Sequence, residues 1–183
     1  MLAHEHVGER SMRKAGRCAI VILGAGGDLT RRKLMPALAH LACDGLLDPG
    51  SAVIGVGRDN YTDESFRDAM AKALADAPEM NGVDDATTKR FLGTLSFVRG
   101  DLRSVDTYKA VTQRVSEFEG RGDAPSGRLV YLAIPPSLYA DVIQRVSESG
   151  LAPRTREDAR WARIVVEKPF GRDLASARQL DQV

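Results

Sequence analysis

The stretch VILGAGGDLTRRK, residues 21–33, decides the fold, because an apolar run ends there in a glycine-rich turn that opens a helical pattern. The run itself, CAIVIL (18–23), is apolar throughout and of strand length, which predicts a buried strand. Between the first strand and first helix of a parallel sheet, such a turn holds the phosphates of a dinucleotide. The turn therefore predicts a phosphate-bearing coenzyme, with a tight turn that holds no ligand as the alternative.

The glycine fingerprint of this turn is incomplete. Gly24, Gly26 and Gly27 match the first part of G-x-G-x-x-G, but Leu29 occupies the third glycine position, and no P-loop pattern follows. The basic run 31–33 lies in the first turns of the predicted helix, where the helix dipole disfavours cations. These three bases need either solvent or an anionic partner, and a phosphate would supply one.

Apolar runs of strand length alternate with amphipathic helical patterns along the rest of the chain. Strands that are apolar throughout and followed by such helices indicate a parallel sheet covered on both faces. The predicted fold class is therefore α/β, a doubly wound, Rossmann-like sheet forming one domain over 17–183, after a flexible tail at 1–16. Strands are predicted at 18–23, 52–57, 95–100, 128–134 and 163–167, and helices at 29–44 with its regular part starting near Pro36, from Thr62, at 84–94, and from Ser104, Ser137 and Asp173.

Composition narrows the class of protein. The 183 residues are 43% hydrophobic and 28% charged, with a net charge of +1, which suits one domain with a packed core and excludes a strongly basic nucleic-acid binder. No apolar run approaches a membrane span, and the N-terminus lacks the apolar segment of a signal peptide. Cys18 and Cys43 are expected to be small hydrophobic residues, and His4 and His6 to be solvated in the tail, so no metal site and a cytoplasmic location are predicted.

The end of the second predicted strand bears on the choice of nucleotide. A site for NAD places an acidic residue there, to hold the ribose hydroxyls. Here AVIGVG (52–57) is followed by Arg58, whose planar guanidinium suits a 2′-phosphate, although Asp59 comes next. An arginine after a strand can also be simply solvated.

Two further motifs follow strands and would therefore share the rim with the glycine turn. YLAIPPSLY (131–139) ends the fourth strand with two prolines, and VVEKPFGRD (165–173) ends the fifth. Lys168 at that edge could hold a sugar or a phosphate, with Glu167 orienting it. The alternative is a surface Glu–Lys pair before a proline turn.

Together, GAGGDLTRRKLMPAL, VIGVGR, RLVYLAIPPSLY and EKPFGRDLASA resemble the N-terminal coenzyme-binding domain of glucose-6-phosphate dehydrogenase, over about residues 18 to 183. The resemblance accounts for the missing third glycine, because this family uses a G-x-x-G-D-L turn. It implies an NADP-dependent oxidoreductase of the pentose phosphate pathway that moves a hydride from C1 of glucose 6-phosphate to NADP. Full-length members form homo-oligomers.

The resemblance also implies roles for individual residues. Arg58 would hold the 2′-phosphate, Lys33 would be a basic partner near the coenzyme, and Lys168 would bridge coenzyme and substrate, followed by the hinge proline Pro169. Many members have serine where Gly26 stands. The coenzyme phosphates would be lined by Gly24, Ala25, Gly26, Gly27, Asp28 and Leu29, and the nicotinamide side by Ile134, Pro135 and Tyr139.

The family's catalytic histidine belongs to a motif that these 183 residues do not contain, and His40 lies within a helical pattern. We therefore expect a piece of a longer enzyme, without the substrate and dimerisation domain, that binds NADP and does not turn over glucose 6-phosphate by itself. One alternative is another sugar oxidoreductase with a Glu-Lys-Pro motif. A second is a non-catalytic module that binds a nucleotide or a protein partner.

Overall fold

The five predicted strands form one parallel sheet in a computed structural model of the chain, which describes residues 14–122, 126–152 and 161–168. The sheet order is β3-β2-β1-β4-β5, and every neighbouring pair is parallel. This confirms the doubly wound α/β fold. The strands are β1 (Cys18–Leu23), β2 (Ala52–Gly57), β3 (Leu95–Arg99), β4 (Gly127–Leu132) and β5 (Ala162–Val166).

Helices connect successive strands, as the amphipathic patterns predict. Thr62 caps the second helix through a reciprocal capping box with Ser65, and Asp84 caps the third by accepting from the Thr87 N–H at 2.7 Å. The helix predicted from Asp173 lies outside the described residues. The helices are α1 (Met35–Cys43), α2 (Asp63–Ala75), α3 (Asp85–Gly93), α4 (Val105–Glu119) and α5 (Tyr139–Glu148).

β1 shows why a doubly covered strand is apolar at every position. Its alternate side chains enter two separate cores, Val21 on the side of α4 and α5 and Ile22 on the side of α1, α2 and α3. Phe66 and Met70 of α2 are fully buried in the second core. The two layers hold the sheet rigidly, so the loops at its carboxyl edge have a fixed base.

The start of the first helix differs from a regular α-helix. Thr30–Leu34 is π-helical, and α1 begins only at Met35, with Pro36 in its first turn. Proline has no N–H and its ring crowds the carbonyl four residues earlier, so the wider turn before it avoids both problems. The expectation that the regular helix starts near Pro36 is confirmed.

Two predicted boundaries near the prolines were wrong, and one predicted cap lacks its side-chain hydrogen bond. β4 ends at Leu132 instead of 134, because Ala133 donates the last ladder bond to Leu23 at 2.9 Å and Pro135 has no N–H to continue it. Ser137 lies in a 3-10 turn (Pro136–Leu138), so α5 begins two residues later. Ser104 occupies the N-cap position of α4, but its hydroxyl makes no capping bond.

The remaining composition-based expectations concern cysteines and membranes. Cys18 is buried beside the Ser51 hydroxyl, and Cys43 is half-buried. Among the described helices, none is long and apolar enough to cross a bilayer.

Candidate functional site

A cleft of about 660 Å³ lies at the carboxyl ends of β1 to β4. Its volume is within the range of small-molecule and cofactor sites. Six of the predicted site residues line it, namely Gly24, Gly26, Gly27, Arg58, Ile134 and Pro135.

The glycine turn is shaped by its contacts with the sheet. Gly24 has φ +91°, and a Cβ there would collide with the Ala133 main chain and lie 2.9 Å from Ile134 Cγ2, so only glycine fits. The N–H groups of Gly24 and Ala25 both donate to the Val56 carbonyl, at 2.8 and 3.0 Å. Gly26 N–H has no backbone acceptor among the residues in view, which leaves one donor of the turn for a ligand.

Ala25 has a packing role under the turn. It is completely buried in the core of α1 and α2, and a Cβ on Gly55 of β2 would approach the Ala25 Cβ to 2.9 Å and Phe66 Cζ to 2.7 Å. The turn therefore sits directly on the sheet. Ala25 does not line the cleft, and its coenzyme role stays a prediction.

The basic run after the turn has protein partners for two of its three members. Arg32 pairs with Asp28 at 3.5 Å, and both side chains are about three-quarters exposed. Lys33 pairs with Glu79 at 3.4 Å, in the segment after α2. Asp28, Leu29 and Lys33 do not line the cleft, and their coenzyme roles stay predictions.

Arg58 and Asp59 are the first two residues after β2, and both are exposed and line the cleft. Neither makes a side-chain hydrogen bond or ion pair with any residue that the structure describes. The carboxylate of Asp59 lies against Gly26, where a Cβ would be 2.8 Å from Oδ1 and still closer to Oδ2. One cation and one anion thus face the turn without internal partners.

Outside the lining of the cleft, a tyrosine–glutamate cluster connects the carboxyl end of β5 to β4 and α5. The Tyr131 hydroxyl of β4 donates a very short hydrogen bond to the Glu167 carboxylate. Burial first, and then this bond, raises the pKa of Tyr131 above its usual range. The buried Tyr139 hydroxyl accepts from Glu167 N–H at 3.3 Å and lies 3.4 Å from its carbonyl.

This cluster fixes the residue that precedes Lys168. Lys168 is exposed, one residue after Glu167, on the rim beside β4. Neither Tyr139, which is buried in the core, nor Lys168 lines the cleft. The predicted roles of Tyr139 at the nicotinamide and of Lys168 at the substrate stay predictions, while Pro169 lies outside the described residues.

Several cleft residues were missed by sequence reasoning. Leu102 and Arg103 follow β3, and Leu138, Val142 and Arg145 present one face of the helix after β4. The rule that ligands bind beyond the carboxyl ends of strands applies to β3 as it does to β2, so RGDLRS (99–104) carried a usable signal. The spacing of 138, 142 and 145 on one helix face was a second signal.

Two further candidate chemistries, a histidine and a metal centre, lie outside what the described residues bring to this cleft. His40 contacts the Glu79 carbonyl at 2.6 Å, away from the cleft. No group of three or more histidine, cysteine or acidic side chains in the described ranges is arranged to hold a metal ion. The cleft combines a glycine turn that has an open N–H with apolar side chains, arginines and aspartates, and this arrangement fits a dinucleotide.

Comparison with known proteins agrees with this geometry. Residues 21–183 match the family described as glucose-6-phosphate dehydrogenase, NAD binding domain. The chain is 36% identical over 171 residues to the cytoplasmic glucose-6-phosphate 1-dehydrogenase 5 of Arabidopsis thaliana, covering 91% of this chain and 33% of that one. It is 35% identical over 177 residues to glucose-6-phosphate 1-dehydrogenase 2 of Mycobacterium tuberculosis, covering 95% and 33%.

A solved structure gives the same result in three dimensions. The chain resembles glucose-6-phosphate dehydrogenase in complex with its substrate glucose-6-phosphate, with a TM-score of 0.78 and 34% identity, over 93% of this chain and 34% of that chain. The chain therefore spans about a third of the length of the relatives it matches.

Proposed function

The chain belongs to the glucose-6-phosphate dehydrogenase family, in which it corresponds to the N-terminal coenzyme-binding part, and we propose that its cleft binds NADP. One observation carries the choice of NADP over NAD: Arg58 faces the cleft directly after β2, with no partner among the described residues. A guanidinium that the fold does not use is available to a 2′-phosphate, which it can bind through two parallel hydrogen bonds.

The glycine turn would hold the pyrophosphate. Its open Gly26 N–H and the unpaired N–H groups at the start of the following helix are the donors that phosphate oxygens accept. Arg103 and Arg145 also line the cleft, together with Asp101 and Asp141, so charged side chains of both signs surround the turn's end of the site. Lys33 would contribute at longer range, beyond its contact with Glu79.

The order of the strands supports an orientation for the bound molecule. β2 and β4 lie on opposite sides of β1, so Arg58 and Ile134 lie on opposite sides of the glycine turn. With the adenosine end at Arg58, the nicotinamide end extends toward Ile134 and Pro135, and beyond them toward Lys168. Lys168 would there bridge coenzyme and sugar phosphate, held in place through Glu167 and Tyr131.

For the protein of which such a domain is part, we propose the dehydrogenation of glucose 6-phosphate at C1, in the pentose phosphate pathway and in the cytoplasm. The bound NADP supplies the hydride acceptor. The contribution of this chain's residues is to bind that acceptor, to orient it along the rim and to present a lysine to the substrate.

Calorimetric titration of the 183-residue chain with NADP and with NAD, at one fixed ionic strength, tests the proposal. We expect binding of NADP, and weaker binding of NAD, because only NADP reaches Arg58 with a phosphate. Binding of neither would refute the coenzyme site, and tighter binding of NAD would refute the role of Arg58.

Adenosine fragments provide a matched control for the orientation. Adenosine 2′,5′-bisphosphate carries the phosphate that Arg58 is proposed to hold, and adenosine 5′-monophosphate does not. We expect the first to bind more tightly and to compete with NADP. Equal affinities would show that the adenosine end does not lie at Arg58.

A further inference from the structure

Asp59 occupies a position that the proposed NADP site leaves unexplained. It follows Arg58 at the end of β2, it is exposed in the cleft, and no residue that the structure describes pairs with its carboxylate. A carboxylate beside a 2′-phosphate would repel it, because both groups are anionic. A site built only for NADP has no use for this side chain.

The Asp59 carboxylate can lie against the glycine turn because residues 26 and 57 are glycines and leave room for it. At Gly26 a Cβ would overlap Oδ2 and lie 2.8 Å from Oδ1, and at Gly57 a Cβ would lie 3.2 Å from Oδ2. Neither glycine has a positive φ, so backbone conformation does not require glycine at these two positions. The space that they leave is the space that the Asp59 carboxylate uses.

The chemistry of this position points to a diol. An ionised carboxylate only accepts hydrogen bonds, and the two hydroxyls of an adenosine ribose are adjacent donors that it can accept together. An acidic residue at the end of the second strand holds these hydroxyls in sites for NAD, and an arginine accommodates the 2′-phosphate in sites for NADP. This chain carries both groups, next to each other.

Resting on the proposed function, we propose that Asp59 is a second residue that determines coenzyme selectivity. Its carboxylate, seated against Gly26, accepts the ribose hydroxyls of NAD and opposes the 2′-phosphate of NADP. Arg58 and Asp59 thus act in opposite directions, and the cleft binds both coenzymes with a narrowed preference for NADP. Gly26 takes part by leaving room for the carboxylate.

Substitution of Asp59 by Asn tests this with nearly unchanged shape. Calorimetric titrations with NADP and NAD give the ratio of the two dissociation constants for each variant. We expect Asp59→Asn to shift this ratio toward NADP by about tenfold, through tighter NADP binding and weaker NAD binding. Asp68→Asn removes the same charge from α2, outside the cleft, and should leave the ratio within about twofold of wild type.

A Cβ at residue 26 gives an independent test. Gly26→Ala should displace the carboxylate and shift the ratio toward NADP, as Asp59→Asn does. In an Asp59→Ala background the same Gly26→Ala substitution should cause no further shift, because the two changes remove one interaction. Circular dichroism of each variant verifies that it is folded.

The outcomes separate this inference from the function on which it rests. Binding of neither coenzyme by the wild-type chain overturns both. Binding of NADP by the wild type, with a ratio that neither Asp59→Asn nor Gly26→Ala changes, overturns the role of Asp59 and leaves the coenzyme site standing.

Discussion

Arg128 and Arg58 lie at opposite ends of the sheet, and their surroundings differ in kind. At the amino edge, Arg128 is 9% exposed, donates two hydrogen bonds of 2.8 Å to Glu119 and a third of 2.8 Å to the Gly150 carbonyl. At the carboxyl edge, Arg58 is exposed and has no partner in the described part of the chain. The charge at the amino edge holds parts of the fold together, whereas the charge at the carboxyl edge has no such use among the described residues.

The largest effect should come from breaking the buried pair. Glu119→Ala should lower the free energy of unfolding by about 3–5 kcal/mol, because it leaves the Arg128 guanidinium buried without its carboxylate. Urea unfolding measures this change. Glu117→Ala, on the exposed face of the same helix, should cost less than about 0.5 kcal/mol. A similar small loss for both would mean that the amino edge is not held by this pair.

Substitution of Arg58 should affect coenzyme binding and leave stability nearly unchanged. Arg58→Ala should weaken NADP binding by about 1.5–3 kcal/mol, since it removes a charged hydrogen-bonded contact, and should hardly change NAD binding or the unfolding free energy. Calorimetric titration with each coenzyme measures the difference. Arg121→Ala removes an exposed arginine at the other edge and should change neither affinity. Equal losses of NADP and NAD affinity would contradict the assignment.

Asp63 is intermediate between Arg128 and Arg58, because it is partly exposed but has hydrogen-bond partners. Burial alone would raise its pKa, but the Phe97 N–H at 2.7 Å and the Arg114 guanidinium at 2.8 Å outweigh burial and hold the pKa of Asp63 below its usual range. A lowered pKa in the folded state stabilises the protein above the unfolded-state pKa, and this stabilisation is lost as the pH falls through the folded-state pKa.

Asp63→Asn should therefore lower the unfolding free energy at pH 7 by on the order of 1 kcal/mol, a value reduced by solvent screening. It should also reduce the loss of stability below about pH 4. Urea unfolding at a series of pH values provides the comparison with wild type, and Asp68→Asn is the exposed control. If the free energy of unfolding falls below pH 4 as much in Asp63→Asn as in wild type, Asp63 does not contribute to that loss.

The smallest effect concerns Lys33, whose contact with Glu79 competes with its proposed role near the coenzyme. Lys33→Ala should weaken NADP binding by less than about 0.5 kcal/mol, and Glu79→Gln should strengthen it slightly by freeing the amine. Titrations at low ionic strength give the best sensitivity. If NADP affinity changes in the same direction in both variants, Lys33 does not contribute to NADP binding.

Much of this fold could be predicted because it depends on local pattern. The bounds of β1 and β2 agree with prediction to the residue, since a strand covered on both faces is apolar without interruption and is bounded by glycine or polar residues. The end of β4 was misplaced by two residues, because apolar Ala133 and Ile134 continue the pattern after the ladder has ended. Apolar character reports burial, and it does not report hydrogen-bond partners.

The candidate site was predicted less completely, for a different reason. Gly24 and Arg58 could be assigned from their place after a strand. The contact of Asp59 with Gly26 and the tie from Tyr131 to Glu167 join residues of different strand ends, and only the sheet order brings them together. Periodicity along the chain carries no information about such contacts.

The sheet order also has a consequence for how this chain is made. The two strands that pair with β1 lie at very different distances from it in the sequence. β2 is the next strand along the chain, whereas β4 comes only after β3 and α4. During synthesis, the backbone groups on one side of β1 therefore have no strand to pair with until β4 (Gly127–Leu132) has left the ribosome. Such long-range parallel pairing is slow and exposes the nascent chain to aggregation. β1, the strand that carries the glycine turn, therefore gains its second neighbour only when β4 pairs with it.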